Sequence, residues 1–309
     1  MTAGSDPTVT IAVLGPGGVG GLLAALLARQ GNEVLCLSGE ATAARIRESG
    51  LKVRSERFGA FSVQVRAATE LDERVDACLV TVKATHLDLA VERVPPAALG
   101  DALVVPFLNG IEHVARLRDR YPDEQVVPAT IQVESSRTAP GEIEHASPFA
   151  SIALAAGSGY RGRVERLAEQ LESAGLDVGL RDNETAMLWD KLSFLAPLAL
   201  LTTHANASVG VVRTERRHDL LAVVHEVATV AGNQGAEIDE AGVLARFDEL
   251  PNTMQSSMQR DAAAGGDIEI EAIGGAIVRA AERAGVAVPV TSRLASDLRS
   301  RGGQGGGEQ

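Results

Sequence analysis

Residues 11–14 are apolar and run straight into Gly15-Pro16-Gly17-Gly18-Val19-Gly20-Gly21, a G-x-G-x-x-G loop followed by the apolar stretch 22–29. In that order the first glycine permits a tight turn and the second lets backbone approach a pyrophosphate. The third allows close packing of helix on strand. Phosphates would then sit on a helix N-terminus, where unpaired N–H groups and the dipole favour negative charge. Gly31 ends the helix and residues 33–37 read as the next strand, completing a βαβ unit of about 30 residues. The reading is a dinucleotide site through Gly15, Pro16, Gly17, Gly18, Val19 and Gly20, with a purely structural glycine turn as the alternative.

Other residues stand where ligands bind in open α/β sheets, beyond the carboxyl ends of strands. The predicted strand 77–82 runs into Lys83, and residues 102–108 run into Asn109-Gly110. A lysine there can meet cofactor phosphate or ribose, or simply be solvated. An asparagine amide can meet a nicotinamide or a substrate oxygen, or form an ordinary Asn-Gly turn. Lys191 has Met187, Leu188, Phe194 and Leu195 as its helical i±3 and i±4 neighbours, so it projects from an apolar face. It either snorkels to water or is buried, in which case its pKa falls and it becomes a proton donor near neutral pH. Glu269 follows Asp267 at a helix start, where the dipole alone favours acids. Ser256 and Ser257 are common helix residues as well as candidate ligands.

These residues must be positioned by two different kinds of structure. Predicted strands at 9–14, 33–37, 77–82, 102–107, 126–131, 151–155 and 176–180 alternate with helical patterns, which implies a mostly parallel, doubly wound sheet. Segments 51–54 and 61–65 look like an inserted hairpin across Gly59. From about Asn183 the pattern becomes helical, over 184–201, 219–234, 252–264, 267–284 and 291–301. The expected organisation is an α/β, Rossmann-type domain over 1–182, an all-helical substrate and dimerisation domain over 183–301, and a disordered tail over 302–309. A homodimer is the expected assembly.

Composition narrows the classes. The chain has 309 residues and a net charge of −12, which argues against nucleic acid as the main partner. Cys36 and Cys78 fall in predicted buried strands and read as small core residues. Cysteines and histidines show no ligand-like spacing, so no metal is expected. Residues 1–8 carry no signal-peptide pattern and no apolar run approaches a membrane span, so no membrane partner and a cytoplasmic location are expected.

Taken together, the motifs resemble the ketopantoate reductase (2-dehydropantoate 2-reductase) family. The similarity runs through the glycine loop, Val82-Lys83-Ala84, Leu108-Asn109-Gly110, Pro140-Gly141-Glu142-Ile143-Glu144-His145 and Trp189-Asp190-Lys191-Leu192. It continues through Ser256-Ser257-Met258-Gln259-Arg260-Asp261, Glu269-Ile270-Glu271-Ala272-Ile273-Gly274-Gly275 and Gly285-Val286-Ala287-Val288-Pro289. The resemblance implies reduction of a small keto substrate, with Lys191 protonating the keto oxygen as hydride reaches the carbonyl carbon. It implies that Lys83 and Asn109 line the cofactor, Asn109 also lying near substrate. Glu269 would hold the ribose side and the ternary complex, and Ser257, with Ser256 beside it, would bind the substrate carboxylate.

The chain also departs from the family pattern. Family asparagines four and eight residues after the lysine are Leu195 and Ala199 here, and a third aligns near Ser208 or Val209, with Asn206 as a substitute. A substrate hydroxyl left unpaired there would cost about 1–3 kcal/mol, so the expectation is a substrate other than ketopantoate, or one bound differently. The resemblance implies NADP(H). Gly39, however, stands at the position of the family arginine, and Glu40 follows it, able to accept from a free 2′-OH in the NAD(H) pattern. Arg45 and Arg47 are close enough in sequence to restore phosphate binding. The alternatives are another β-hydroxyacid-type dehydrogenase and a non-catalytic dinucleotide-binding sensor.

Overall fold

A computed structural model of the chain describes residues 9–157 and 159–304. Two compact units are present. One extends to Leu108 and resumes over His113–Glu184, and the other comprises Asn109–Glu112 and the chain from Thr185 onward.

The first unit opens with β1 (Thr10–Leu14), α1 (Gly18–Arg29), β2 (Glu33–Leu37) and α2 (Glu40–Ser49). Next come β3 (Leu51–Ser55), β4 (Phe61–Val63), β5 (Arg66–Ala68), β6 (Ala77–Val80), α3 (Leu87–Val91), α4 (Pro96–Leu99), β7 (Leu103–Pro106) and α5 (His113–Arg118). The unit closes with β8 (Ala129–Gln132), β9 (Ser135–Ala139), β10 (Glu142–His145), β11 (Ser151–Ala155), α6 (Arg161–Ser173) and β12 (Asp177–Arg181).

The main sheet is parallel throughout, in the order β5-β2-β1-β6-β7. Its β6 and β7 are buried along their whole length, as continuous apolar strands covered on both faces must be. Strand order reverses between β1 and β6, which makes that junction the switch point where ligands bind in such sheets.

Two smaller sheets lie outside it, β4-β3-β10-β9 and β12-β11-β8. The expected hairpin is present as the antiparallel pair β3/β4. Three strands were not legible: β5, with three residues, and β9 and β10, whose sequences SSRTA and EIEH lack an apolar run. The turn at Gly141 (φ +81°) folds β9 back on β10, so pairing rather than burial makes them strands. Segments 151–155 and 176–180, expected beside the others in one sheet, form their own sheet with β8 instead, and Val126 meets β7 only through a single bridge.

The second unit is helical: α7 (Glu184–Ala205), α8 (Val209–Glu215), α9 (Arg217–Asn233), α10 (Glu240–Glu249), α11 (Ser257–Ala263), a π-turn over Glu271–Gly275, α12 (Ala276–Ala284) and α13 (Pro289–Gln304). The predicted helix at 252–264 starts only at Ser257, because Ser256 is its N-cap, accepting from the Gln259 N–H at 3.1 Å. The buried Glu226 carboxylate accepts the Val290 and Thr291 N–H groups at 2.9 and 2.8 Å, fastening the start of α13 to α9. Gly302–Gln304, expected in a disordered tail, continue α13, while 305–309 lie outside the described residues. No single described helix is long and apolar enough to cross a membrane.

Candidate active site

The glycine loop joins β1 to α1 at the switch point. Gly15 has φ +88°, a conformation other residues adopt only under strain, and a side chain there would overlap Val82. A Cβ on Gly20 would collide with the Thr81 hydroxyl and the Gly15 carbonyl, and one on Gly18 would collide with the Ser135 backbone. Gly17 is different: the nearest atom to its would-be Cβ is the Gly15 carbonyl oxygen at 3.9 Å. Gly17 also caps α1 without any side-chain acceptor, and no acid occupies the first turn. The loop is thus packed tightly on its inner side and open at Gly17, with helix N–H groups available to an anion. These residues fit a dinucleotide pyrophosphate. Pro16 is buried and Val19 half-buried, so both serve as packing around the glycines.

Thr81 was not singled out in the sequence, yet it holds the loop. Its hydroxyl lies 2.8 Å from the Gly15 carbonyl and 3.0 Å from that of Leu14. Ser135 donates to the Gly18 carbonyl at 2.8 Å. A β-branched residue at a strand end carries no sign of such a duty, and Ser135 is remote in sequence. Lys83 comes two residues after Thr81, in extended backbone at the mouth of β6, half-buried, with its carbonyl accepting from the His86 N–H.

Past β2, Gly39 is the N-cap of α2, and no atom lies within 4 Å of its would-be Cβ. Glu40 is the first residue of that helix and is exposed. Its carboxylate is paired with Arg47, whose guanidinium also donates to the Ala67 carbonyl at 3.1 Å. Arg45 pairs with Glu48 at 3.0 Å. Both arginines that could meet a phosphate are therefore engaged by carboxylates on their own helix.

In the helical unit, the structure brings Asn109 and Glu269 together. The Asn109 amide donates to the Glu269 carboxylate at 2.8 Å, and Glu269 is buried. Gly110 (φ +84°) makes the turn, so the Asn-Gly turn and the asparagine contact coexist. Lys191 is partly buried on α7. Desolvation pushes its ammonium down to about 8, with the Glu269 carboxylate acting in the opposite direction. An ammonium of that strength is still mostly protonated at neutral pH, yet it is more acidic than an ordinary lysine and so better suited to giving up its proton.

Leu195 and Ala199 follow Lys191 at one and two further turns of the unbroken α7, on the same face. Pro197 stands between them and removes the helix bond to the Ser193 carbonyl. Asn206, the possible substitute amide, is exposed just past the end of α7, where its φ of +47° serves the helix C-terminus.

Ser256 has a place in the fold that its sequence does not announce. It is buried, caps α11 and shares a 2.8 Å hydrogen bond with Thr202, whose own hydroxyl donates to the Leu198 carbonyl at 2.7 Å. Its proton and one of its acceptor sites are thereby engaged within the fold. Ser257 is exposed at the first position of α11. Among the described residues no group of three or more His, Cys, Asp or Glu side chains could hold a metal.

Comparison with known proteins agrees with this arrangement. Residues 11–159 match the model of the ketopantoate reductase PanE/ApbA family, and residues 183–301 match that of its C-terminal domain. A 2-dehydropantoate 2-reductase of Mycobacterium tuberculosis (strain H37Rv) is 30% identical over 92% of this chain and 95% of its own length. The "uncharacterized oxidoreductase YkpB" of Bacillus subtilis is 29% identical over 93% of this chain and 96% of its own. Among solved structures, a PanE/ApbA family ketopantoate reductase from Ralstonia eutropha superposes with TM-score 0.87 at 27% identity, covering 96% of this chain and 99% of that one. A D-mandelate dehydrogenase bound to NADH and anilino(oxo)acetate shares the fold at TM-score 0.88 and 24% identity, covering 96% of this chain and 99% of that one. The chain belongs to the ketopantoate reductase family and is an NAD(P)-dependent oxidoreductase.

Proposed function

We propose that this enzyme reduces 2-keto acids whose side chain is apolar, with Lys191 as proton donor to the keto oxygen. The observation that carries the substrate class is the Lys191 face of α7, where Leu195 and the buried Ala199 stand in place of amides. An apolar substituent gains about 25 cal/mol per Å² buried against such residues, whereas a hydroxyl there goes unpaired at about 1–3 kcal/mol.

The reduced nicotinamide, when bound, supplies the hydride to the keto carbon. Gly17 and the uncapped start of α1 receive the pyrophosphate, and Lys83 lines the cofactor. Lys191 gives its proton to the oxygen as negative charge develops there, a contribution of about 10²–10⁴-fold in rate. Asn109 and Glu269 orient one another at 2.8 Å and act on cofactor ribose and substrate. Ser257 takes the substrate carboxylate.

For the cofactor, we infer a preference for NADH over NADPH. Gly39 offers no guanidinium, Glu40 places a carboxylate at the start of α2, and Arg45 and Arg47 are both paired. Glu40 would accept from a free 2′-OH and repel a 2′-phosphate.

Steady-state kinetics on a panel of 2-keto acids with each reduced cofactor tests both statements. The expected result is a kcat/KM for a branched aliphatic or aryl keto acid at least about tenfold above that for ketopantoate, as the 1–3 kcal/mol penalty requires. Ketopantoate emerging as the best substrate would overturn the substrate class, and a clear NADPH preference would overturn the role of Glu40.

A further inference from the structure

Asn109–Glu112 belongs to the helical unit although the residues on either side of it belong to the other. Three contacts hold it there. The Asn109 amide reaches Glu269, Gly110 lies so close to the Ala272 carbonyl that any Cβ would overlap it, and Glu112 receives both arms of the Arg279 guanidinium at 3.0 and 2.7 Å. Arg279 then continues to the Glu271 carboxylate at 2.9 Å and to the Glu271 carbonyl at 2.7 Å. Arg299 binds the other side of the Glu271 carboxylate. Glu271 opens the π-turn, two residues after Glu269. A π-turn is a rare, widened backbone form that marks functional positions more often than chance.

Arg279 thus spans both partners of the Asn109–Glu269 pair, holding the segment that carries one and the turn that follows the other. We propose that Arg279 is a positioning residue, which keeps the Asn109 amide and the Glu269 carboxylate in register for the reaction. The proposal rests on the roles given above to Asn109 and Glu269. Only a planar fork reaches two carboxylates and a carbonyl at once; a lysine ammonium in the same place is a single point charge. Isolated exposed ion pairs contribute little to stability, so the network's value lies in geometry more than in stability. Two arginines against one carboxylate hold Glu271 below the usual carboxylate range, and two carboxylates hold Arg279 further above its ordinary value, so the network stays charged across the working range.

The experiment uses the full chain and the variants Arg279→Gln, Arg279→Lys and, as a control in a surface pair remote in sequence from the segment, Arg293→Gln. The chain has three lysines, Lys52, Lys83 and Lys191, so 13C NMR of labelled lysine ε-carbons resolves the titration of Lys191 directly. Glu269 is the charged group that acts on Lys191, and Asp190 beside it on α7 is exposed. With Glu269 out of register, Lys191 titrates below its wild-type value of about 8 in Arg279→Gln, and part-way in Arg279→Lys. The kcat/KM for the keto acid falls by about 10²-fold, as misplacement of about 1 Å does, while Arg293→Gln changes neither readout.

A lowered melting temperature with Lys191 titration and kcat unchanged would reduce Arg279 to a structural role and sink the proposal. If Arg279→Gln does not fold, Arg279→Lys decides by the same two readouts. An enzyme that reduces no keto acid overturns the proposed function, whereas the lysine titration still decides the positioning role.

Discussion

The glycine loop and the Lys191 region, each proposed to hold a reactive molecule, are built by opposite means. At the loop the work is done by backbone and by missing atoms. Gly15, Gly18 and Gly20 leave no room for a side chain, and Gly17 alone leaves room that nothing in the chain fills. In the helical unit it is done by side chains: a desolvated ammonium on α7, a buried carboxylate just before the π-turn, and an amide from the turn at Asn109 joined to it at 2.8 Å. Steric requirements at the loop are absolute, set by backbone and side-chain atoms in direct overlap range. Electrostatic requirements around Lys191 depend on partners brought from 78 and 160 residues away and can be tuned by a network such as that of Arg279.

The contrast predicts different failures. The largest effect is expected from Lys191→Met, which should lower kcat by about 10²–10⁴-fold while dinucleotide binding, measured by fluorescence titration, persists. A variant with wild-type turnover would remove Lys191 from the chemistry. The same substitution should leave the melting temperature equal or higher, since it removes an ammonium that burial penalises. The linked pH dependence has a definite sign. With a folded pKa near 8 against about 10.4 unfolded, the unfolded state holds the extra proton between those values. Stability from this group therefore rises with pH across that window, and the stability gap between variant and wild type narrows there.

At the loop, Gly20→Ala and Gly17→Ala should separate. The first forces a methyl into Thr81 and the Gly15 carbonyl and costs about 1–3 kcal/mol by overpacking, visible as a lower denaturation midpoint. The second meets nothing closer than 3.9 Å, so its midpoint should stay put while dinucleotide affinity falls. Equal loss of stability in both would mean that Gly17 is packed rather than open.

Smaller again is the pH profile. With Lys191 as the proposed proton donor, kcat/KM should be flat below about pH 8 and fall about tenfold per unit above it. An alkaline limb that stays in place in Arg279→Gln would argue against coupling between the network and the ammonium.

Least affected should be the thiols. Burial pushes both Cys36 and Cys78 up to about 12, so neither should label with iodoacetamide in the native protein at pH 8.

Legibility in the sequence followed this same division. The glycine loop, β1, α1 and β2 could be read because the glycine spacing between an apolar strand and an apolar helix is a local pattern. The atoms that exclude a Cβ at Gly15 and Gly18 nevertheless belong to the distant Val82 and Ser135. Lys191 could be flagged because its i±3 and i±4 neighbours are apolar, a pattern that survives without any tertiary contact. The structural bonds of Ser256 could not be read, because nothing local reveals Thr202, its partner 54 residues earlier. β9 and β10 were missed because their residues carry no apolar alternation, and only the turn at Gly141 makes them pair. Thr81, Ser135, Glu112 and Arg279 went unread for the same reason, since each acts through a group distant along the chain.

Sequence alone determined the parallel sheet, the helical second half, the glycine loop and the apolar Leu195 and Ala199 on the Lys191 face. All of these are written in periodicity, in the absence of a Cβ, or in residue identity at a fixed helical spacing. Only tertiary structure decided that Glu40 is tied to Arg47, that Ser256 belongs to the fold, and that Asn109 meets Glu269 under the Arg279 network. A hydrogen bond between distant residues forms only once the whole chain has placed both groups within about 3 Å, and no local pattern records where its partner will be.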